Sequence, residues 1–117
     1  MDKLIENLKE VGLNTYEAKV YLALLKKFPA TGYEVSKLAD IPQSRTYDTL
    51  KILTNKQIVT ATTDKPVMYS PIKPKELTKR YKRKITANID FLEKHLPEVK
   101  DNYVEPVLSI SGENKIQ

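Results

Sequence analysis

Polar and charged side chains crowd the start of the stretch PQSRTYDTLKILTN, residues 42–55. In a helix that buries Thr46, Leu50 and Leu53, these side chains would lie on the opposite face and its flanks. Arginine there can grip guanine through two acceptors, glutamine can pair with adenine, and serine, tyrosine or lysine can bond phosphate. The pattern therefore predicts a helix that contacts double-stranded DNA. Its candidate contacts are Gln43, Ser44, Arg45, Tyr47, Asp48 and Lys51, with Lys65 and Lys73 further along the chain.

Asp48 is the hardest member of this set to explain, because a carboxylate repels phosphate groups. It would either accept a hydrogen bond from cytosine or orient Arg45 or Lys51, each three residues away. Lys65 stands in the turn sequence DKP, from which it could touch the minor groove or the DNA backbone.

Catalytic and metal-binding chemistry find little support in the sequence. The chain has no cysteine and one histidine, His95, which follows Lys94 on a charged stretch. Metal sites need histidine, cysteine or carboxylate groups at ligand spacing, and the sequence offers no such cluster. Its three glycines are scattered and form no phosphate-binding loop. We therefore expect no enzyme activity, no catalytic residue, no bound metal and no cofactor.

Positive charge is concentrated in the middle of the chain. The formal net charge is +5, but residues 41–96 carry twelve basic side chains against five acidic ones, whereas residues 1–40 are neutral. A local surplus of this kind is typical of a face that binds a polyanion. The alternative interpretation is a solvated helix face without a ligand.

Length and composition limit the class of protein. A chain of 117 residues, 40% hydrophobic and 30% charged, suits one globular domain, with or without an appendage. No apolar run approaches the roughly 20 residues of a membrane span, and the first residues lack the pattern of a signal peptide. We expect a cytoplasmic protein without a membrane partner, and the absence of cysteine agrees with this.

Four short helices are predicted before residue 56. Asn14 with Glu17, and Thr31 with Glu34, have the spacing of capping boxes and so begin the second and third helices. Pro42 can open the fourth, since proline is tolerated in a first turn. A short turn between the third and fourth helices predicts a helix-turn-helix. The expected buried residues are Ala18, Tyr21, Leu22 and Leu25 in the second helix and Val35, Leu38 and Ala39 in the third.

The segments 58–63 and 67–70 are predicted to pair as a β-hairpin, the wing of a winged helix, because β-branched residues flank the turn DKP. From Pro74 onward a long helix is expected. Its apolar residues recur at spacings of four, three and four, the seam of a coiled coil that a second copy would cover. The alternative is that this helix packs back on its own winged helix. The seam residues, and the predicted homodimer contacts, are Ile85, Ile89, Leu92 and Leu96.

The predicted fold is mainly α with a small β-hairpin: a winged helix-turn-helix followed by a long coiled-coil dimerisation helix. We expect residues 1–72 to form the DNA-binding domain, 73–104 the dimerisation helix and 105–117 a strand or tail. Within the last segment, residues 107–111 read as one strand. A lone strand cannot satisfy its own hydrogen bonds, so it would pair with the other subunit or begin a further domain.

Three blocks, GLNTYEAKVYLALLKK, GYEVSKLADIPQSRTYDTLKIL and KPVMYSPIKP, resemble the winged-helix domain of the TrmB family of archaeal and bacterial transcriptional regulators. The resemblance covers about residues 5–96 and implies a DNA-binding regulator whose long helix dimerises and whose recognition helix corresponds to residues 42–55. The sequence departs from the family pattern at Asp40 and Gln57, where glycine is usual, and at Gln43, where a basic residue is common. Many members continue into an effector domain, and LSISGENKIQ resembles its first strand. A small-molecule effector is therefore expected only if a domain follows residue 117.

We predict a transcriptional regulator that binds a pseudo-palindromic operator as a dimer. The alternative is a winged helix that serves as a protein–protein interaction module, with Tyr47 and the fourth helix docking another protein. The exposed glutamine, serine and arginine argue against it, because protein-docking faces usually centre on apolar anchors.

Overall fold

A computed structural model describes residues 2–99 of the chain. These residues form mainly α-helices with one antiparallel hairpin, which confirms the predicted fold class; the predicted strand at 107–111 lies outside the described residues. The chain divides into two compact units at residues 82 and 83. The elements are α1 (Asp2–Glu10), α2 (Thr15–Lys26), α3 (Gly32–Ala39), α4 (Gln43–Asn55), β1 (Val59–Ala61), β2 (Tyr69–Pro71) and α5 (Pro74–His95), then a 3-10 turn, Leu96–Glu98.

Both predicted capping boxes are present. The Asn14 side chain accepts a hydrogen bond from the Glu17 amide (2.8 Å), while the Asn14 amide donates to Glu17 Oε1 (2.9 Å). Thr31 Oγ1 accepts from the Glu34 amide (3.2 Å), and the Thr31 amide donates to Glu34 Oε1 (2.9 Å). Each box satisfies two N–H groups that a helix start leaves without a partner. The starts of α2 and α3 are therefore fixed by local sequence.

Helix α2 is the centre of the first compact unit. It contacts α1, α3, α4 and β2, so it is buried on more sides than the predicted stripe allows. Ala18, Tyr21 and Leu22 are buried as predicted, whereas Leu25 is only half-buried; Val20, Ala23 and Leu24 are buried in addition. The Tyr21 hydroxyl donates to the carbonyl oxygen of Ile72 (2.9 Å), and burial raises the pKa of this phenol.

Helix α3 buries two of its three predicted core residues, one fully and one in part. Val35 is fully buried and Ala39 half-buried, but Leu38 is 41% exposed, so the prediction for Leu38 was wrong. The buried side of this two-turn helix includes Gly32 and Ser36 instead. Ser36 can occupy it because its hydroxyl donates to the carbonyl oxygen of Tyr33 (2.7 Å), which removes the cost of burying an unpaired polar group.

The wing is a short hairpin joined to the segment before α3. Strand β1 pairs with β2, with Val59 opposite Pro71 and Ala61 opposite Tyr69. On its other edge Tyr69 exchanges two backbone hydrogen bonds with Ala30, at 3.0 and 2.8 Å. The strands are shorter than the predicted segments 58–63 and 67–70. Strand β2 therefore pairs with β1 on one edge and with the residue before the helix-turn-helix on the other.

Two left-handed residues bracket α4. Asp40, at the end of α3, has φ 56° and ψ 52°, and Gln57, just after α4, has φ 61°. These are the two positions at which the family resemblance places glycine. The left-handed conformation costs a residue with a side chain roughly 1–2 kcal/mol, which explains why glycine is usual there.

Helix α5 is mostly exposed, and Leu77 is its one buried residue among those described. The four predicted seam residues, in the unit that begins at residue 83, are between 42% and 61% exposed. None of the helices described in residues 2–99 combines the length and apolar character that crossing a membrane requires.

Candidate nucleic-acid interface

Helix α4 has one fully buried side and one fully exposed side. Thr46, Leu50 and Leu53 have no measurable exposure, as predicted, and Thr49 is also buried. Thr46 satisfies its hydroxyl within the helix by donating to the carbonyl oxygen of Pro42 (3.0 Å). All the predicted contact residues of the helix are exposed: Gln43, Ser44, Arg45, Tyr47, Asp48 and Lys51.

One flank of α4 faces the start of α2 through Arg45. The guanidinium carbon of Arg45 lies 6.0 Å from the centre of the Tyr16 ring, at the outer limit of a cation–π contact. Tyr16 is half-buried and packs against the hydrophobic core. This contact could not be predicted from residue spacing, because it joins residues 29 positions apart.

The other flank of α4 faces the start of α3 through Tyr47. A Cβ atom added to Gly32 would overlap the Tyr47 ring and lie 2.9 Å from its hydroxyl oxygen. The ring therefore occupies the space that a side chain at position 32 would fill. Tyr47 nevertheless remains 45% exposed. Burial raises the pKa of Tyr69, and the nearby Tyr47 phenol raises it by a smaller amount. Tyr47 thus has a packing role that its position in the sequence did not indicate.

Asp48 projects from the exposed side between these flanks. Within residues 2–99 no ion pair joins Asp48 to Arg45 or to Lys51. Arg45 faces Tyr16 instead, so the structure gives no support to the expectation that Asp48 orients a neighbouring cation.

Lys65 and Lys73 lie on the wing and directly after it. Lys65 is exposed in the hairpin tip, which is closed by a hydrogen bond from the Thr62 amide to the Met68 carbonyl oxygen (2.9 Å). Lys73 is exposed just before α5. Further cations continue along α5, where a shallow groove is lined by Lys75, Thr78, Lys79 and Lys82.

Two charged groups hold the end of α4. The Lys56 ammonium group lies 3.0 Å from Oε2 of Glu17, a carboxylate only 3% exposed, whose other oxygen belongs to the capping box of α2. Arg80 donates through Nη1 to the Lys56 carbonyl oxygen (3.0 Å) and through Nη2 to the Gln57 carbonyl oxygen (2.7 Å). Arg80, one of the basic residues in the positive middle of the chain, therefore binds backbone carbonyl groups at the end of α4.

No group of histidine, cysteine and carboxylate residues in the described part of the chain is arranged to hold a metal ion. His95 lies beside Glu98, with Nδ1 and Oε1 3.1 Å apart, and its ring centre is 4.3 Å from that of Phe91. This arrangement is a local contact near the end of α5.

An exposed polar helix after a short turn, a core helix behind it and a hairpin beside it define a winged helix-turn-helix domain. The chain belongs to the TrmB family of transcriptional regulators, since the family model described as "Sugar-specific transcriptional regulator TrmB" matches residues 8–75. The resemblance inferred from the sequence is thereby confirmed.

Two curated relatives cover most of this chain. YrhO of Bacillus subtilis (strain 168), described as uncharacterized, is 32% identical over 117 residues, which are 98% of this chain and 42% of that protein. The sugar-sensing transcriptional regulator TrmBL1 of Pyrococcus furiosus is 31% identical over 98 residues, 84% of this chain and 29% of TrmBL1. The chain thus spans less than half the length of either relative.

Solved structures agree with the fold. TrmBL2, described as an archaeal chromatin protein that shows a novel mode of DNA binding, is 28% identical with a TM-score of 0.64, over 89% of this chain and 46% of TrmBL2. A possible transcriptional regulator from Methanosarcina mazei Go1 has a TM-score of 0.69 over 83% of this chain and 89% of its own, at 15% identity, and supports the fold alone.

Proposed function

We propose that the chain binds double-stranded DNA through α4 and the wing, and regulates transcription as a homodimer at a pseudo-palindromic operator. The observation that carries the proposal is the exposed row of α4. Polar and cationic groups occupy it, while the opposite side of the same helix is completely buried. A major groove admits one helix, and a helix-turn-helix offers it the N-terminal part of its second helix.

Exposed lysines supply the attraction to phosphate. Lys65 on the wing and Lys73 after it precede the groove cations of α5, Lys75, Lys79 and Lys82, which share one helix face. TrmBL2, which matches this chain at 28% identity, is described as binding DNA, and this supports the assignment. The cations would neutralise DNA backbone charge, whereas Arg45, Gln43 and Ser44 would read base edges.

A second copy of the chain would cover the seam of α5. Its four apolar residues follow the spacing of a coiled coil, and roughly half of each side chain is exposed in one chain. Water contact with so regular an apolar row is unfavourable, and burying it against an identical row on a two-fold related copy would remove that cost.

The base-reading role is tested by comparing two duplexes. The wild-type protein would first select a preferred duplex from a random library, and binding to it and to a scrambled duplex would then be measured. Arg45→Ala should weaken binding to the preferred duplex at least tenfold, the typical loss of a bidentate base contact. Binding to the scrambled duplex should weaken less. Lys65→Ala should weaken both alike. Equal losses for both duplexes in the Arg45 variant would contradict its base-reading role.

Dimerisation is tested by light scattering on the purified chain. Replacing Ile89 and Leu92 together by Asp should convert a dimer into monomers, because two carboxylates would enter the apolar seam from each chain. Ala87→Asp is the matched control, since Ala87 is exposed and lies outside the seam. A monomeric wild type, or dimers in the double variant, would contradict dimerisation through the apolar seam of α5.

The second candidate function is a protein-docking module, which the 45% exposure of Tyr47 on α4 favours. Salt distinguishes the two candidates. DNA binding should fall by orders of magnitude between about 50 and 200 mM salt if several phosphates are contacted. A flat response of complex formation to salt would favour protein docking through Tyr47.

A further inference from the structure

We propose that Tyr16, which lies outside the helix-turn-helix, is a positioning residue that sets the direction of the Arg45 side chain toward DNA. The inference rests on the proposed function, in which Arg45 reads a base edge. It assigns to α2 a part in sequence preference in addition to its place in the core.

The Tyr16 ring is a fixed platform. Tyr16 is the second residue of α2, and the capping box of Asn14 and Glu17 sets the start of that helix. Glu17 is also paired with Lys56 at the end of α4. The ring packs against the core cluster, so one of its sides is held while the other is available to a cation.

Arg45 has few other restraints. No hydrogen bond or ion pair from the Arg45 side chain to another residue is present within residues 2–99, and this side chain is exposed. An unrestrained arginine must lose much rotamer freedom when it grips a base. A ring at 6.0 Å favours rotamers that keep the guanidinium group on the α2 flank of α4, and so reduces that loss before DNA arrives.

The test uses a pair of variants at Tyr16. Tyr16→Leu keeps apolar bulk against the core but removes the π face, whereas Tyr16→Phe keeps the face and removes only the hydroxyl. Binding is measured to the preferred and to the scrambled duplex. Tyr16→Leu should weaken binding to the preferred duplex about two- to fivefold, the range of an exposed cation–π contact, and should weaken binding to the scrambled duplex less. Tyr16→Phe should bind both duplexes like the wild type.

A double-mutant cycle separates positioning from a general structural effect. In an Arg45→Ala background, Tyr16→Leu should have no further effect on the preferred duplex, because the group that it positions is gone. Additive losses would overturn the proposal. Weaker binding of both duplexes by Tyr16→Phe would also overturn it, since the hydroxyl would then be a phosphate contact.

A measurement without DNA keeps this inference separate from the proposed function. In the free protein, the Arg45 side-chain protons should show an upfield ring-current shift in NMR spectra that is lost in Tyr16→Leu and retained in Tyr16→Phe. Absence of that shift would overturn the Tyr16 contact even if the protein prefers its selected duplex. A wild-type protein that shows the shift but binds no duplex would overturn the proposed function and, with it, the positioning role.

Discussion

The carboxylate of Glu17 and the ammonium group of Lys56 lie 3.0 Å apart and join the start of α2 to the end of α4, 39 residues further along the chain. Glu17 is 3% exposed, so its charge depends on this partner and on the Asn14 amide for compensation. The pair ties the proposed DNA-contacting helix to the helix at the centre of the core.

Lys56→Met should therefore destabilise the protein, because it leaves a buried carboxylate with one partner fewer. We expect a loss of about 1–3 kcal/mol in the free energy of unfolding, toward the lower end because the Lys56 side chain is 43% exposed. Urea unfolding at one fixed protein concentration measures it. Lys51→Met, an exposed lysine of the same helix, is the control and should change stability by no more than about 0.5 kcal/mol. Equal effects of the two variants would show that the pair contributes nothing.

Arg80→Lys should destabilise the end of α4 although it keeps the charge. Lysine cannot reproduce the fork that reaches the carbonyl oxygens of Lys56 and Gln57 together. We expect a loss of about 1–2 kcal/mol, measured by thermal and urea unfolding. The reverse exchange at the neighbouring exposed position, Lys79→Arg, is the control and should have little effect. A stable Arg80→Lys variant would mean that water replaces the guanidinium group without cost.

The effect of Gly32→Ala on stability should change sign when the residue at position 47 is changed. In the wild type the new Cβ atom collides with the Tyr47 ring, so the variant should be less stable. When Tyr47 is also replaced by Ala, the collision with the ring is absent, and the smaller backbone freedom of alanine in the unfolded chain should raise stability by about 0.4–1 kcal/mol. Unfolding of the two single variants and the double variant completes the cycle. Additive effects would show that the ring moves aside freely.

Acid should remove the contribution of Glu34. The hydrogen bond from the Thr31 amide, with a smaller contribution from Lys27, lowers the pKa of this carboxyl group below its ordinary value. A lowered folded-state pKa means that the stabilisation is complete above the unfolded value of about 4.3 and is lost as pH falls through the folded value. The stability difference between the wild type and Glu34→Gln should therefore shrink toward pH 3 in urea titrations. A difference independent of pH would contradict the ionised capping box.

Asp48→Asn should tighten binding to a scrambled duplex about three- to tenfold, because it removes a negative charge from the side proposed to face DNA. If Asp48 accepts a hydrogen bond from cytosine, the same variant should lose preference at one base pair of the selected duplex. Asp64→Asn, which removes the same charge from the exposed wing tip, is the control. Loss of affinity for both duplexes in Asp48→Asn would contradict the repulsion argument.

Local signals in the sequence predicted much of the architecture. The two capping boxes act over three residues, so their residue types alone located the starts of α2 and α3. The buried row of Thr46, Leu50 and Leu53 followed from helical spacing for the same reason. Burial of α2 on several sides was underestimated, because helical periodicity describes one face and cannot show how many elements surround a helix.

Contacts between distant residues could not be predicted. Arg80 and Lys56 are 24 positions apart, and a lysine-rich helix gives no sign that one of its cations caps another helix. Tyr47 was predicted as a DNA contact from its place on α4, but its packing on Gly32 depends on the angle between α3 and α4. The DNA-contacting roles of the exposed α4 residues stay predictions, because exposure alone does not distinguish a reading residue from a solvated one.

Asp40 and Gln57 have a consequence for how the chain tolerates length changes. Each residue of an α-helix turns by about 100°, and these two left-handed positions lie before the start of α4 and after its end. A one-residue deletion in α4 before Asp48 would rotate every later side chain of the helix by that angle and carry Asp48 and Lys51 away from the exposed side they now share. Insertions and deletions should therefore be tolerated in the wing tip, where no helix depends on the number of residues, and rejected within the first half of α4.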